Sequence, residues 1–214
     1  MRWTGRADGD LGVARQGSKE AWEAVTHGPV SWLRQVHGAR VVVVDAPPGV
    51  QGEEGDALVT TRTGLALAVF TADCAPVALG SPEGVLGAVH AGWAGLGAGV
   101  LEGTVSVMRS LGATRVVAAL GPCIHPECYP FGAGDLDRVA ARLGDSVRGV
   151  TASGAPALDL PAAVRSALGR AGAELVHDEG ACTACALDGH RRARYFSHRA
   201  RGDAQRQAMV VWRE

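Results

Sequence analysis

The sequence contains no asparagine, one lysine (Lys19) and one isoleucine (Ile124). These are residues with AT-rich codons, so the skew reflects a GC-rich genome rather than a structural demand. Charge of one sign is also missing: 21 Lys and Arg face 22 Asp and Glu, for a net charge of -1, with no long block of either. That argues against electrostatic capture of nucleic acid or of an anionic membrane. The most apolar stretches, Leu65–Phe70 and Val85–Val89, fall far short of the ~20 residues that cross a bilayer. The segment Met1 to Leu11 lacks the apolar region of a signal peptide, so a cytoplasmic protein is expected. In a reducing compartment the five cysteines are thiols, thiolates or ligands, and their odd number argues against a pure disulfide framework.

With 214 residues, 47% of them hydrophobic, the chain can bury a full core, and its length suits one domain, 1–214. Short apolar runs bounded by Gly, Pro or Asp predict strands at Val41–Val44, Ala57–Thr60, Leu65–Phe70, Ala75–Leu79, Val85–Val89, Val116–Leu120 and Met209–Trp212. Helices are predicted over three stretches. Gly97–Leu111 sets Val100, Leu101, Thr104, Val107 and Leu111 on one face. Leu158–Ala171 has Asp159 as N-cap and Pro161 at a permitted early position, and Asp135–Leu143 completes the set. Pro47–Gly55 reads as a surface loop. Strands outnumber helices and come in runs, which predicts an α+β fold with mixed sheets rather than a doubly wound parallel one.

Three segments carry chemistry: Gln35-Val-His37-Gly, Thr71-Ala-Asp73-Cys74-Ala-Pro-Val and Val89-His90-Ala-Gly-Trp93. Each sets a metal-capable side chain beside a predicted strand. Cys74 and His90 flank a predicted strand pair, at its entrance and its exit, and in a hairpin those positions are neighbours. Imidazole and thiolate suit zinc, and three protein ligands leave one tetrahedral position open, the arrangement of catalytic rather than structural sites. Against this stands the ordinary tendency of single Cys and His residues to be buried without function.

Taken in order, QVHG, GDALVT (Gly55–Thr60), TADCAPV, AVHAGW, ALGPCI (Ala119–Ile124), Cys128-Tyr129, Cys182-Thr183 and FSHR (Phe196–Arg199) resemble the YfiH family of laccase-domain proteins, over about residues 30–214. The resemblance implies a zinc site at His37, Cys74 and His90 and a single layered α/β/β/α domain with mixed sheets. It implies action on purine nucleosides: phosphorolysis of adenosine, inosine or methylthioadenosine, and deamination of adenosine. The partners implied are a nucleoside and phosphate, with no nucleic acid and no membrane; nothing in the sequence sets the oligomeric state. Copper-dependent laccase chemistry and peptidoglycan editing are also associated with the family. Within this frame Cys74 and His90 are catalytic as well as ligating. Asp73 is a general base or an orienting residue, with a turn residue as the plain alternative. Gln35 and Arg199 are substrate-binding candidates, Arg199 for phosphate or ribose, and His125 is a candidate proton donor to the leaving purine. One departure stands out: HAGW is usually followed by Arg or Lys, whereas this chain has Ala94.

The remaining patterns divide the alternatives. Cys123-x4-Cys128 with Cys182-x2-Cys185 has the composition of a four-cysteine zinc site, although its first spacing is wide. The H-x-E and P-C-x-x-C pair of the nucleobase deaminases does not occur. The glycine-rich run Gly92–Gly99 matches neither a Walker loop nor a dinucleotide fingerprint, and close backbone packing is its expected role. A copper oxidase is poorly served by seven histidines without H-x-H pairs. A cysteine hydrolase with Cys74 as nucleophile and His90 as base, and a non-catalytic metal-binding domain, complete the field.

Overall fold

The computed structural model describes residues 1–12, 22, 25, 29–46 and 49–214. The described strands are β1 (Arg2–Trp3), β2 (Val30–Arg34), β3 (Val41–Val43), β4 (Gln51–Glu54), β5 (Ala57–Thr60), β6 (Ala66–Thr71) and β7 (Ala75–Gly80). They continue as β8 (Leu86–Ala91), β9 (Val117–Leu120), β10 (Arg148–Val150), β11 (Pro156–Leu158), β12 (Glu174–Asp178) and β13 (Gln207–Val211). The described helices are α1 (Trp93–Ala98), α2 (Val100–Ser110), α3 (Ala133–Leu143), α4 (Leu160–Ala171) and α5 (His198–Arg201).

Among the described residues two mixed sheets form, ordered β1-β13-β6-β2-β4 and β12-β9-β7-β8-β5-β3, with β10 and β11 as a separate pair. Burial along the strands decides how they stack. Leu67 and Val69 of β6 and Met209 and Val211 of β13 meet Leu58, Ala78 and Ala88 of the six-stranded sheet in one apolar cluster between the sheets. Their alternate neighbours Val59, Val77 and Val89 face the other way, onto Val100, Leu101 and Met108 of α2 and Val164 and Leu168 of α4. Strands buried on both faces read as unbroken apolar runs, and for that reason they are legible in the sequence. The outer face of the five-stranded sheet, with Ala66, Ala68 and Phe70, packs on Leu11 and Val25. This is the α+β class with mixed sheets in one domain, and among the described residues the helices α2 and α4 cover the outer face of the six-stranded sheet.

Several expectations need correction. The helix predicted over Gly97–Leu111 is two helices, because Gly99 adopts φ +87° between α1 and α2. The buried face of α2 holds Val105 and Met108, while Val107 and Leu111 lie further out, because the helix starts at Val100 and its phase follows. Pro47–Gly55 is not a loop throughout: Gln51–Glu54 forms β4, parallel to β2, while residues 47 and 48 lie outside the described residues. Its residues are polar because it is an exposed edge strand. The N-cap expectation holds, with Ala162 N donating to Asp159 Oδ1 at 2.7 Å, and Gly172 closes α4 at φ +67°. No helix among the described residues is long and apolar enough to cross a membrane.

Candidate metal centre and active-site cavity

His90 lies near the end of β8 and Cys74 immediately before β7. These strands pair antiparallel with Pro76 opposite His90 and Ala75 opposite Ala91, which carries Cys74 to the level of Gly92. Gly92 is small for a reason: a Cβ there would sit 3.1 Å from His37 Cδ2 and 3.2 Å from Cys74 Sγ. A Cβ on Gly95 would lie 2.8 Å from the carbonyl oxygen of Gly38, so the glycine-rich run lets α1 approach the His37 turn.

His37 follows β2 in a turn and adopts φ +59°, a left-handed conformation that costs a non-glycine residue about 1–3 kcal/mol. The turn is held by Asp56, a fully buried carboxylate. The backbone N–H groups of Val36, His37 and Gly38 donate to it at 3.3, 2.9 and 2.7 Å. The Nδ1 of His90 lies 2.8 Å from Asp56 Oδ1, and the His90 backbone N–H donates to the Asp56 carbonyl, also at 2.8 Å. One carboxylate therefore positions two imidazoles and turns the Nε2 of His90 toward Cys74.

One donor atom each of His37, Cys74 and His90 lies within 4.8 Å of the others. The imidazole rings meet edge to face, with centroids 4.9 Å apart. Burial pushes the Cys74 thiol up, but hydrogen bonds from His37 and His90 and their positive charge outweigh it, bringing the pKa down to about 6. For His90, burial works downward, whereas the hydrogen bonds to Asp56 and Cys74 carry the pKa up to about 9. Two imidazoles and a ready thiolate suit a zinc-type ion.

The three face a cavity of about 780 Å³. Its lining includes the aromatic side chains Trp32, Phe70, Trp93 and Tyr129, the arginines Arg34, Arg199 and Arg206, and His198. Arg199 lies 5.2 Å over the Tyr129 ring. Burial, with the charge of Cys74, pushes the Tyr129 phenol up to about 12 against the opposing pull of Arg199. Asp73 adopts φ +112°, and both its oxygens are engaged: Thr183 Oγ1 donates at 2.7 Å and Arg199 N at 2.7 Å. Gln35 lines the cavity, but its amide is engaged with Phe70, donating to the carbonyl at 2.7 Å and accepting from the N–H at 2.8 Å. His125 does not line the cavity; its Nδ1 lies 3.7 Å from Glu127. Ala94, in α1, is half-buried and likewise off the lining.

Sequence reasoning gave no role to Asp56, Tyr129 or Thr71. The only sequence signal for Asp56 is its place in GDALVT, between a glycine and an apolar strand, which does not distinguish a buried carboxylate from a turn residue. Thr71 gave no signal, yet its buried hydroxyl lines the cavity without a hydrogen-bond partner. Buried hydroxyls are normally satisfied, and this one is an exception among the described residues.

A family model described as multi-copper polyphenol oxidoreductase laccase matches residues 8–214. A purine nucleoside phosphorylase of Streptomyces coelicolor is 43% identical over 187 residues, covering 86% of this chain and 74% of that protein. One from Mycobacterium tuberculosis is 40% identical over 188 residues, covering 86% and 72%. Among solved structures, YfiH of Bacillus licheniformis superposes with a TM-score of 0.80 at 25% identity, covering 92% of this chain and 79% of that one. YlmD of Geobacillus stearothermophilus gives 0.77 at 30% identity, covering 90% and 77%.

Proposed function

This chain belongs to the multi-copper polyphenol oxidoreductase laccase family, and from that premise we propose that it is a zinc-dependent purine nucleoside phosphorylase that also deaminates adenosine. One observation carries the reading: a two-histidine, one-cysteine donor set opens onto a cavity lined by both aromatic side chains and arginines. The phosphorylase names of the relatives support it. The aromatic walls suit a purine face. Arg199 on the cavity lining suits phosphate and would supply the charge that a basic side chain at Ala94 would otherwise bring. Bound at His37, Cys74 and His90, zinc would supply Lewis acidity and would acidify a water toward neutrality.

In phosphorolysis a phosphate oxygen attacks C1′ of the ribose while the bond to the base breaks, and the departing purine takes up a proton. Tyr129, held protonated at neutral pH, is a hydrogen-bond donor on the cavity wall for that purine. Thr71 offers its unpartnered hydroxyl to the substrate. Asp73 acts as a positioning residue, since its oxygens hold Thr183 and the first turn of α5, which carries Arg199. The test is direct. Zinc-loaded protein with inosine and phosphate is expected to release hypoxanthine and ribose 1-phosphate, and with adenosine alone to release inosine and ammonia. Folded, zinc-loaded protein that forms no free base and no inosine would overturn the reading.

A second reading has its own observation: Cys74, His90 and Asp56 line up as thiol, imidazole and carboxylate, the order of a cysteine hydrolase. The two part on metal. A thiol hydrolase keeps its activity in chelator, whereas the proposed phosphorylase loses it.

A further inference from the structure

Away from the cavity, a second group of soft donors converges. Glu127, Cys128, Cys182 and Cys185 each offer one ligand atom, and all four atoms lie within 4.8 Å of one another. Three of the four cysteines the sequence offers for such a site take part: Cys123 is buried and outside the group, and Glu127 takes the fourth place. The gathering has structural causes. Cys123 and Cys182 face each other across an isolated parallel bridge, with Thr183 N donating to the Cys123 carbonyl at 3.0 Å. The short 3-10 turn Pro126–Cys128 then swings Glu127 and Cys128 back over that bridge. On the other strand, Ala186 N donates to the Cys182 carbonyl at 2.9 Å, curling the chain so that Cys185 returns to the same spot.

From this convergence we infer a second metal site, a closed tetrahedral zinc centre ligated by Cys128, Cys182, Cys185 and Glu127. Three sulfurs and one oxygen form a complete first coordination sphere for zinc and leave no position for a substrate, so the role is structural. The His125 backbone N–H lies 3.4 Å from Cys182 Sγ, the kind of contact that stabilises a metal-bound thiolate. The His125 ring, 3.7 Å from Glu127, can orient the carboxylate. Cys182 is buried, whereas Glu127 and Cys185 are exposed, giving the ion a path in from solvent. Thiolates gathered this closely repel one another, and a divalent cation relieves that repulsion.

The position gives the ion a use. Tyr129, on the cavity wall, follows Cys128, and Thr183, which holds Asp73 beside Cys74, follows Cys182. A clamp on these cysteines braces both groups, whichever reaction the cavity supports.

Metal analysis of the full chain purified with reductant and zinc tests this. Wild type is expected to carry two zinc ions per chain. Cys185→Ser and Cys128→Ser should each carry one, and Cys74→Ser should carry one, held by the other set. A wild type with one zinc that Cys74→Ser removes would overturn the inference, as would an unchanged zinc content in folded Cys185→Ser. If the cysteine variants do not fold, thiol labelling of wild type decides. Zinc added to metal-free protein should slow alkylation of Cys128 and Cys185 at least tenfold, as read by peptide mass analysis. Equal labelling with and without zinc, or a disulfide among these three cysteines that forms in the presence of zinc and reductant, would refute it.

Discussion

Asp56→Asn is the sharpest perturbation of the His37–Cys74–His90 site, because it changes charge and proton count at almost constant volume. In the native protein Oδ1 takes the N–H of His37 and Nδ1 of His90, and Oδ2 takes the N–H groups of Val36 and Gly38. An asparagine has one acceptor oxygen, so one of these pairs must face an NH₂ group. With the NH₂ on the Oδ2 side, donors oppose donors at Val36 and Gly38, which loosens the left-handed turn that presents His37. With the NH₂ on the Oδ1 side, the His37 N–H loses its acceptor and His90 has to accept through Nδ1. The proton then moves to Nε2, on the side that faces Cys74, and blocks the lone pair a metal would use.

Either way the site loses a ligand's orientation. Loss of such a supporting carboxylate costs 10–100-fold in metal affinity, or about 1.4–2.7 kcal/mol. Each buried N–H left without an acceptor costs about 1–3 kcal/mol more of folding stability. Competition against a chromophoric chelator should therefore show zinc bound at least tenfold more weakly at this site, and urea unfolding of the metal-free variant should show a lower midpoint. Wild-type zinc affinity in folded Asp56→Asn would refute the reasoning, since it would mean that His90 finds its tautomer without the carboxylate.

Cys74→Ser should lose the zinc held at this site together with nucleoside turnover, and turnover that vanishes while both metals remain would favour the cysteine nucleophile. In metal-free protein, burial raises and the two imidazoles more strongly lower the Cys74 pKa, from 9.0 to about 6, so alkylation of Cys74 should stay fast down to about pH 6. The sign for stability follows: the Cys74 contribution is lost as pH falls through about 6. That of His90, raised from 6.5 to about 9, is lost as pH rises through 9. A midpoint of Cys74 alkylation near pH 9 would show that the thiolate–imidazolium pair does not form. Arg199→Ala should raise the phosphate KM about tenfold or more, the loss of a charged hydrogen bond of about 1.5–3 kcal/mol, while Ala94→Arg, off the cavity lining, should leave it unchanged. Thr71→Val should weaken nucleoside binding by about 1 kcal/mol, seen as a higher KM for inosine with little change in stability, because the hydroxyl it removes has no protein partner.

What could be read in the chain before its structure divides along a physical line. Strands β5 to β9 were legible because they are buried on both faces, and a strand so placed must be apolar throughout. Strands β4 and β12 were not, because an edge strand facing solvent carries residues such as Glu53, Glu54 and Glu174 that a loop would also carry. The break at Gly99 was invisible for a related reason: the apolar spacing continues through it, and only the backbone angle records the turn. The site divides in the same way. His37, Cys74 and His90 declare themselves by residue type, since few side chains bind metal. Asp56 does not, although it holds two of the three, because a carboxylate in a sequence looks the same exposed or buried. Its function lies in the four donors the fold points at it, from residues 18 to 34 positions away in the chain. The second cysteine group makes the point from the other side. Spacing suggested Cys123 as a ligand, but Cys123 is buried in the core and outside the donor group, and Glu127, which no cysteine spacing could reveal, takes its place beside Cys128, Cys182 and Cys185. A residue type names a chemistry, and only the fold decides which neighbours it shares that chemistry with.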